Sequence, residues 1–273
     1  MDARPDAAHR DLLIAGLGHV VVDGSPGSPC DPTPFLRVRK NRKFMGVQDD
    51  LAVVAAGRAL AAAGLGSGSL GERAGLYLAV GYIPFEKADI DRLLEGSFDE
   101  RGAFSMALFT TRGYGAVNPL LTFRCLSNMP AFHISVNTDL QGPYIVTYPG
   151  PGQLYLALEA AVRALAGGEV DVALVAGVNG LERAAGCVVI ETEAHARART
   201  APAARARLAD LAVSYRAHDP IEEPATGSDP PLGPAALPVA LSLAAEAGET
   251  TFRHEVHARD GIDATSTWEI ARA

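Results

Sequence analysis

Apolar runs a few residues long alternate along the chain with longer stretches of helical texture. Leu12 to Gly18 (LLIAGLG) is apolar and ends in glycines, as a buried strand leaving into a loop would. Between Gln48 and Ala63 small and apolar residues dominate, with Leu51, Val53, Val54 and Leu60 in a helical texture. Gln48-Asp49-Asp50 suits a helix start and Gly64 a helix stop. Ala74 to Val80 (AGLYLAV) predicts a strand, Glu86 to Leu94 a short helix, and Pro119 opens a helix through about His133. Pro143 to Tyr148 is β-branched and aromatic. The turn Pro149-Gly150-Pro151-Gly152 then leads into a helix over Leu154 to Ala166, closed by Gly167-Gly168. Asp171 to Gly177 and Gly186 to Glu191 are further apolar strands, and Ala194 to Arg199 a basic helical tail. Alternation of this kind predicts an α/β sandwich.

The texture changes after Ala217. Residues 218–234 are rich in proline and acid and read as a linker, which divides the chain into a main unit over 11–217 and a C-terminal piece over 235–273. That piece predicts a helix from Ala235 to Ala247, stopped by Gly248. Two strands, Thr250 to Ala258 and Thr265 to Ala271, then flank the turn Asp260-Gly261 as a hairpin packed on the same domain.

Composition narrows the function. With 24 Lys+Arg against 32 Asp+Glu the net charge is −8, and the one basic run, Arg37 to Lys43, is interrupted by Val38. Nucleic acid is therefore not an expected partner, and the run reads as a solvated loop. The chain is 48% hydrophobic and 21% charged, enough to bury a full core. No apolar stretch approaches the roughly 18 residues needed to span a bilayer. Met1 to Arg10 carries charges and no apolar signal core, so a cytoplasmic address without membrane contact is expected. Three cysteines, Cys30, Cys125 and Cys187, without CxxC spacing predict buried small side chains rather than a disulfide framework or zinc site, and no cofactor is implied.

The segment from Asn118 to Gly177 carries a chain of small motifs: Asn118-Pro119-Leu120, Asn128-Met129, Ala131-Phe132-His133, Leu140-Gln141-Gly142-Pro143, Gly168, Asp171 and Ala176-Gly177. Taken together and without gaps, it resembles the N-terminal half of the β-ketoacyl synthases, the thiolase-fold condensing enzymes of fatty-acid and polyketide synthesis. LLIAGLG resembles that family's opening strand, and GCVVIETEAHARART (Gly186 to Thr200) its strand and helix before the second half. The resemblance implies a thiolase-like half-fold, with a mixed sheet of about five strands and helices on both faces.

Two departures bear on activity. Active relatives place a cysteine at the first turn of the helix after the GP strand, where the helix N-terminus lowers the thiol pKa. Counting from Gly142-Pro143, that position is Pro151, flanked by Gly150, Gly152 and Gln153. Proline is comfortable at a first helical position but cannot attack a thioester. The histidine motifs of the family's second half are also absent. Chain-length-factor subunits tolerate loss of the nucleophile, carrying a glutamine there and pairing with an active synthase. Gln153 lies two positions beyond the matching place. Truncated synthase-like proteins of this size accompany aryl-polyene-type polyketide synthases.

The resemblance thus implies a non-catalytic subunit that pairs with a β-ketoacyl synthase and shapes its acyl tunnel, with an acyl carrier protein as a further partner. In the family the strand before the turn pairs with its twin across a dimer axis, which assigns Tyr144, Val146 and Tyr148 to an interface. Phe109, Phe123 and Phe132 are tunnel candidates by position. Two alternatives stay open: a small acyl-thioester transferase or hydrolase using Cys125 or a Ser/Thr, and a structural homodimer. Elsewhere the plainer readings are preferred. His133 is expected as a satisfied core histidine and Asp49-Asp50 as a helix cap. His254 and His257 should lie on opposite faces of a strand with one exposed, and Arg197, Arg199, Arg205 and Arg207 should form a solvated face.

Overall fold

Eight strands join into one continuous sheet in a computed structural model that describes residues 12–22, 30–66, 70–83, 87–117, 120–199, 202–216, 232–258 and 261–271. In chain order the elements are β1 (Leu12–Val21), α1 (Val47–Ala62), β2 (Ala74–Val80), α2 (Lys87–Glu95), α3 (Met106–Leu108), α4 (Leu121–Cys125), α5 (Met129–Thr138), β3 (Tyr144–Thr147), α6 (Gln153–Ala166), β4 (Val172–Asn179), β5 (Ala184–Thr192), α7 (Glu193–Ala198), β6 (Ala206–Tyr215), α8 (Ala236–Glu246), β7 (Thr251–His257) and β8 (Ile262–Ile270). The sheet order is β3-β2-β4-β5-β1-β6-β8-β7. β3, β2 and β4 run parallel, and every other pairing is antiparallel.

Helices cover both faces. α6 and α8 pack on one side, joining Leu154, Leu158, Leu237 and Leu241 to Tyr77, Val175, Val188 and Trp268. α1 and α5 pack on the other, joining Leu51, Val54 and Ile134 to Leu76, Leu78, Leu174 and Val189. β2 is buried at every residue, which is why its sequence is a continuous apolar run without alternation. α1 lies close on β1 because two positions beneath it lack side chains. A Cβ on Gly16 would fall 2.0 Å from the Ala59 carbonyl oxygen, and one on Gly18 2.4 Å from the Ala59 amide nitrogen.

The sheet has eight strands rather than five. β6 does not stand out in the sequence because a bulge between Leu208 and Asp210 breaks its alternation and leaves Ala209 and Asp210 exposed in succession. It pairs β1 on one side and β8 on the other, so the C-terminal hairpin continues the main sheet rather than extending from it. The single helix expected from Pro119 to His133 is two. Leu126 turns extended (ψ 130°), and Pro130, which has no N–H to give to an upstream carbonyl, enters the first turn of α5. Of the linker over 218–234, residues 218–231 lie outside the described residues, as do Pro119 and Asp260.

A buried polar network clamps the hairpin to α6. The Tyr155 hydroxyl donates to the His254 carbonyl (3.1 Å) and meets His254 Nδ1 at 2.9 Å and Ser266 Oγ at 3.1 Å. Trp268 Nε1 donates to the same Ser266 Oγ at 2.9 Å. Tyr155, Ser266 and Trp268 are buried, and the His254 ring stacks on Tyr155. Burial holds the tyrosine neutral by pushing its pKa up to about 12, and lowers that of His254. Tyr155→Phe leaves several polar atoms without their shared partner. The expected loss is about 1–3 kcal/mol in urea unfolding at neutral pH; an unchanged midpoint would show that the network does not hold the hairpin.

Candidate functional site: a proline-glycine turn beside an open sheet edge

β3 is only four residues long, and β2 pairs with one side of it alone. Its residues leave the sheet through Tyr148 and a cis bond to Pro149 and enter α6 at Gln153. Gly152 is the cap residue of α6, so Pro151 stands one residue before the cap rather than at the first helical position. Both are buried. The turn is held from within: Gln153 N donates to the Gly150 carbonyl (3.1 Å), and Thr147 Oγ1 donates to the Gln153 carbonyl (2.9 Å). The first turn of α6 carries no acidic residue. Gln153 is half-buried.

Around this turn the edge is apolar and exposed. Tyr144 is 64% exposed, Ile145 40% and Tyr148 45%, with Val146 half-buried behind them. Tyr148 meets Tyr82 edge-on at 5.9 Å. Phe132 of α5 is 50% exposed and lines one cleft with Leu140 and Tyr144, and Val136 follows it one turn later. Four of the six interface candidates therefore gather at this edge: Tyr144 and Val146 on β3, Tyr148 just past its end, and Phe132 on the helix beside it. The other two lie in different surroundings. Phe109 sits in an aromatic ladder with Phe104 (6.0 Å) and Tyr114 (6.4 Å), and Phe123 packs edge-on against Phe44 (6.0 Å), next to Lys43.

Several plain expectations change. His133 is fully buried but not satisfied, since neither ring nitrogen has a hydrogen-bond partner among the described residues; burial pushes its pKa down to about 4. Of the cysteines only Cys187 is buried, and burial pushes its thiol up to about 12. Cys30 and Cys125 are half-buried. Burial and the Asp50 carboxylate raise Cys30 to about 11, the opposite of thiolate activation. Arg199 is not solvated: it forks onto the buried Glu191 at 2.7 and 2.9 Å, with His195 on the same carboxylate at 2.8 Å. Arg197 and Arg207 both reach Glu193, and Arg205 is exposed.

Asp49 caps α1 by accepting from Gly46 N at 2.6 Å. Asp50 pairs with Arg42 at 2.8 Å. Among the described residues each leaves its Oδ1 without a partner, and burial raises Asp49 to about 8 and Asp50 to about 7. His254 and His257 do face opposite sides of β7, and His257 is exposed, bonded to Asp263 and Glu255. Among the described residues no group of three or more His, Cys, Asp or Glu is placed to hold a metal, and no helix is long and apolar enough to cross a membrane. Nothing in the sequence pattern pointed to the cleft lined by Asp50, Arg124 and Arg183, because its walls come from segments far apart in the chain.

A mixed sheet between two helical layers, with a strand and tight turn feeding a central helix, defines the thiolase-like α/β class. The profile of the β-ketoacyl synthase N-terminal domain family matches residues 25–207, more than half of the chain. The chain belongs to the β-ketoacyl synthase family. No curated protein matches it. Among solved structures, a type II polyketide synthase ketosynthase complexed with its acyl carrier protein and bound to a hexaketide aligns at TM-score 0.72 and 12% identity. That alignment covers 95% of this chain and 99% of that one. The ishigamide ketosynthase/chain length factor aligns at TM-score 0.67 and 18% identity, covering 95% and 99%. A β-ketoacyl synthase from Burkholderia phymatum STM815 aligns at 0.64 and 15%, covering 96% and 100%. At these identities the likeness is one of fold.

The buried, unpartnered His133 generates a pH prediction. Its folded pKa lies below the unfolded value, so the unfolded chain binds the extra proton between about pH 6.5 and 4, and this contribution to stability is lost as pH falls through that window. Asp49 and Asp50 act oppositely over the same range, so the effect is read as a difference. His133→Leu should gain on the parent by up to about 1.4 kcal/mol per pH unit on acidification. Parallel stability curves from pH 7 to 4 would refute it.

Proposed function

We propose that the protein is a non-catalytic synthase-like subunit that pairs through β3 with an active β-ketoacyl synthase of polyketide or fatty-acid-type biosynthesis and helps to shape its acyl tunnel. One observation carries the reading: a strand edge that is unpaired among the described residues, uncharged and aromatic leads directly into a turn built of Pro149, Gly150, Pro151 and Gly152. An exposed strand edge with apolar side chains is a template for another strand, and soluble proteins generally cover one. By the gapless count Pro151 stands where active relatives keep their nucleophile, and it has no group that attacks a thioester. Phe132 and Tyr144 lie at this edge and would present bulk to the partner.

Support from similar folds is of two kinds. A solved ketosynthase/chain length factor and a solved ketosynthase with its acyl carrier protein share the architecture. Carried to this chain, these assemblies make a synthase the first partner and a carrier protein the second. The pseudo-synthase role, the heterodimer and any link to aryl-polyene-type pathways belong to this proposal.

Co-expression with a synthase from the same gene neighbourhood tests it. A one-to-one complex by size exclusion and mass, acylated on the partner alone, is the expected outcome. Stable self-association with acyl loading on this chain would overturn it. Within the complex, Tyr144→Glu combined with Ile145→Lys places charge on the strand edge. The double change should weaken association by at least about tenfold while leaving the circular-dichroism spectrum unchanged.

A further inference from the structure

At the N-terminal end of α1 lies a cleft of about 500 Å³ that includes no residue of β3 or of the turn before α6. Its charged lining is Arg42, Asp50, Arg124 and Arg183, three guanidinium groups against one carboxylate. Arg42 is already engaged by Asp50 at 2.8 Å. Arg124 and Arg183 form no ion pair among the described residues, and Arg124 Nε is a buried donor without an acceptor. Asp50 is nine-tenths buried, and its Oδ1 is an acceptor without a donor. Buried polar groups are ordinarily paired, so unpaired groups of both kinds beside one cleft call for an occupant that supplies both kinds of partner.

We propose that this cleft binds a phosphate monoester, its oxygens accepting from Arg124 and Arg183 and its remaining P–OH donating to Asp50. The chemistry selects this group among anions. A monoester has three terminal oxygens and, with a second pKa near 6, exchanges its last proton just below neutral pH, so it can meet both guanidinium groups and share one proton with Asp50. A carboxylate or a phosphodiester brings a single charge and two terminal oxygens, too few to meet both guanidinium groups and also share a proton with Asp50. Asp50 lines the cleft with its Oδ2 held by Arg42, which leaves Oδ1 as the oxygen open to a further partner. Met45 and Leu181, also in the lining, offer apolar contact to the ester's carbon chain. This site is independent of the subunit role proposed above and stands if that role fails.

Calorimetric titration of the full chain near pH 6.5 with inorganic phosphate, butyl phosphate, dibutyl phosphate and butyrate tests it. Inorganic phosphate and the monoester should bind, the monoester more tightly, with the diester and butyrate at least about tenfold weaker. Arg183 is exposed and sits at φ 51°, a conformation asparagine accepts. Arg183→Asn, alone and with Arg124→Gln, should therefore keep the melting temperature and weaken the monoester by about tenfold or more. Asp50→Asn removes the preference for monoester over diester. Absence of monoester binding up to about 10 mM would overturn the proposal, as would butyrate binding equally well or Arg183→Asn leaving affinity unchanged in a folded protein.

Discussion

The close seating of α1 on the sheet is the constraint on which the rest of the molecule depends. Gly16 and Gly18 leave no room for a side chain between β1 and the Ala59 turn, so the helix axis comes down onto the strand and a second helix, α5, closes over it. Buried residues then occur all round α1, including Gln48, Asp49 and Asp50 in its first turn. Acids are favoured at a helix start by the macrodipole. Here that position is also inside the protein, and the preference collides with the cost of burying charge. Capping by Asp49 and the Arg42 pair offset part of this cost, and the unpartnered carboxylate oxygens are what is left over.

The two edges of the sheet have been treated in opposite ways. β7 ends the sheet with Arg253, Glu255 and His257 turned outward, linked to one another and to Asp263. Charges along an edge discourage further strand addition. β3 ends it with Tyr144, Ile145 and Tyr148 and no charge between Pro143 and Gln153. If both edges faced only water, the same pressure against aggregation would act on each. The asymmetry is what an association at β3 alone would produce.

Local sequence gave away the elements whose pattern is local. β2, β4 and α6 are legible because burial on both faces makes a strand continuously apolar, and because glycines at φ near +70° close helices at fixed places. The motif chain from Asn118 to Gly177 likewise pointed to the fold that the sheet confirms. β6 was hidden by its bulge. The break between α4 and α5 was written in Pro130, which an expectation of one long helix passed over. Phe109 and Phe123 were assigned by chain position, yet packing gave each a different aromatic neighbour. Arg199 looked solvated because its partner, Glu191, is a buried strand residue eight positions earlier. The Tyr155 network joins residues 99 and 111 positions apart, beyond the reach of any periodicity.

The turn before α6 ties these threads to function. A helix N-terminus pointing into a tight turn concentrates positive potential, which a condensing enzyme would use to hold a thiolate. In this chain that end has no acid in its first turn, and Pro151 and Gly152 are buried there. Thr147 and Gly150 instead satisfy the backbone around Gln153, so the turn is closed internally. A turn held in this way has no need of an ionised side chain to be stable. It keeps β3 and α6 in register through backbone and hydroxyl contacts alone.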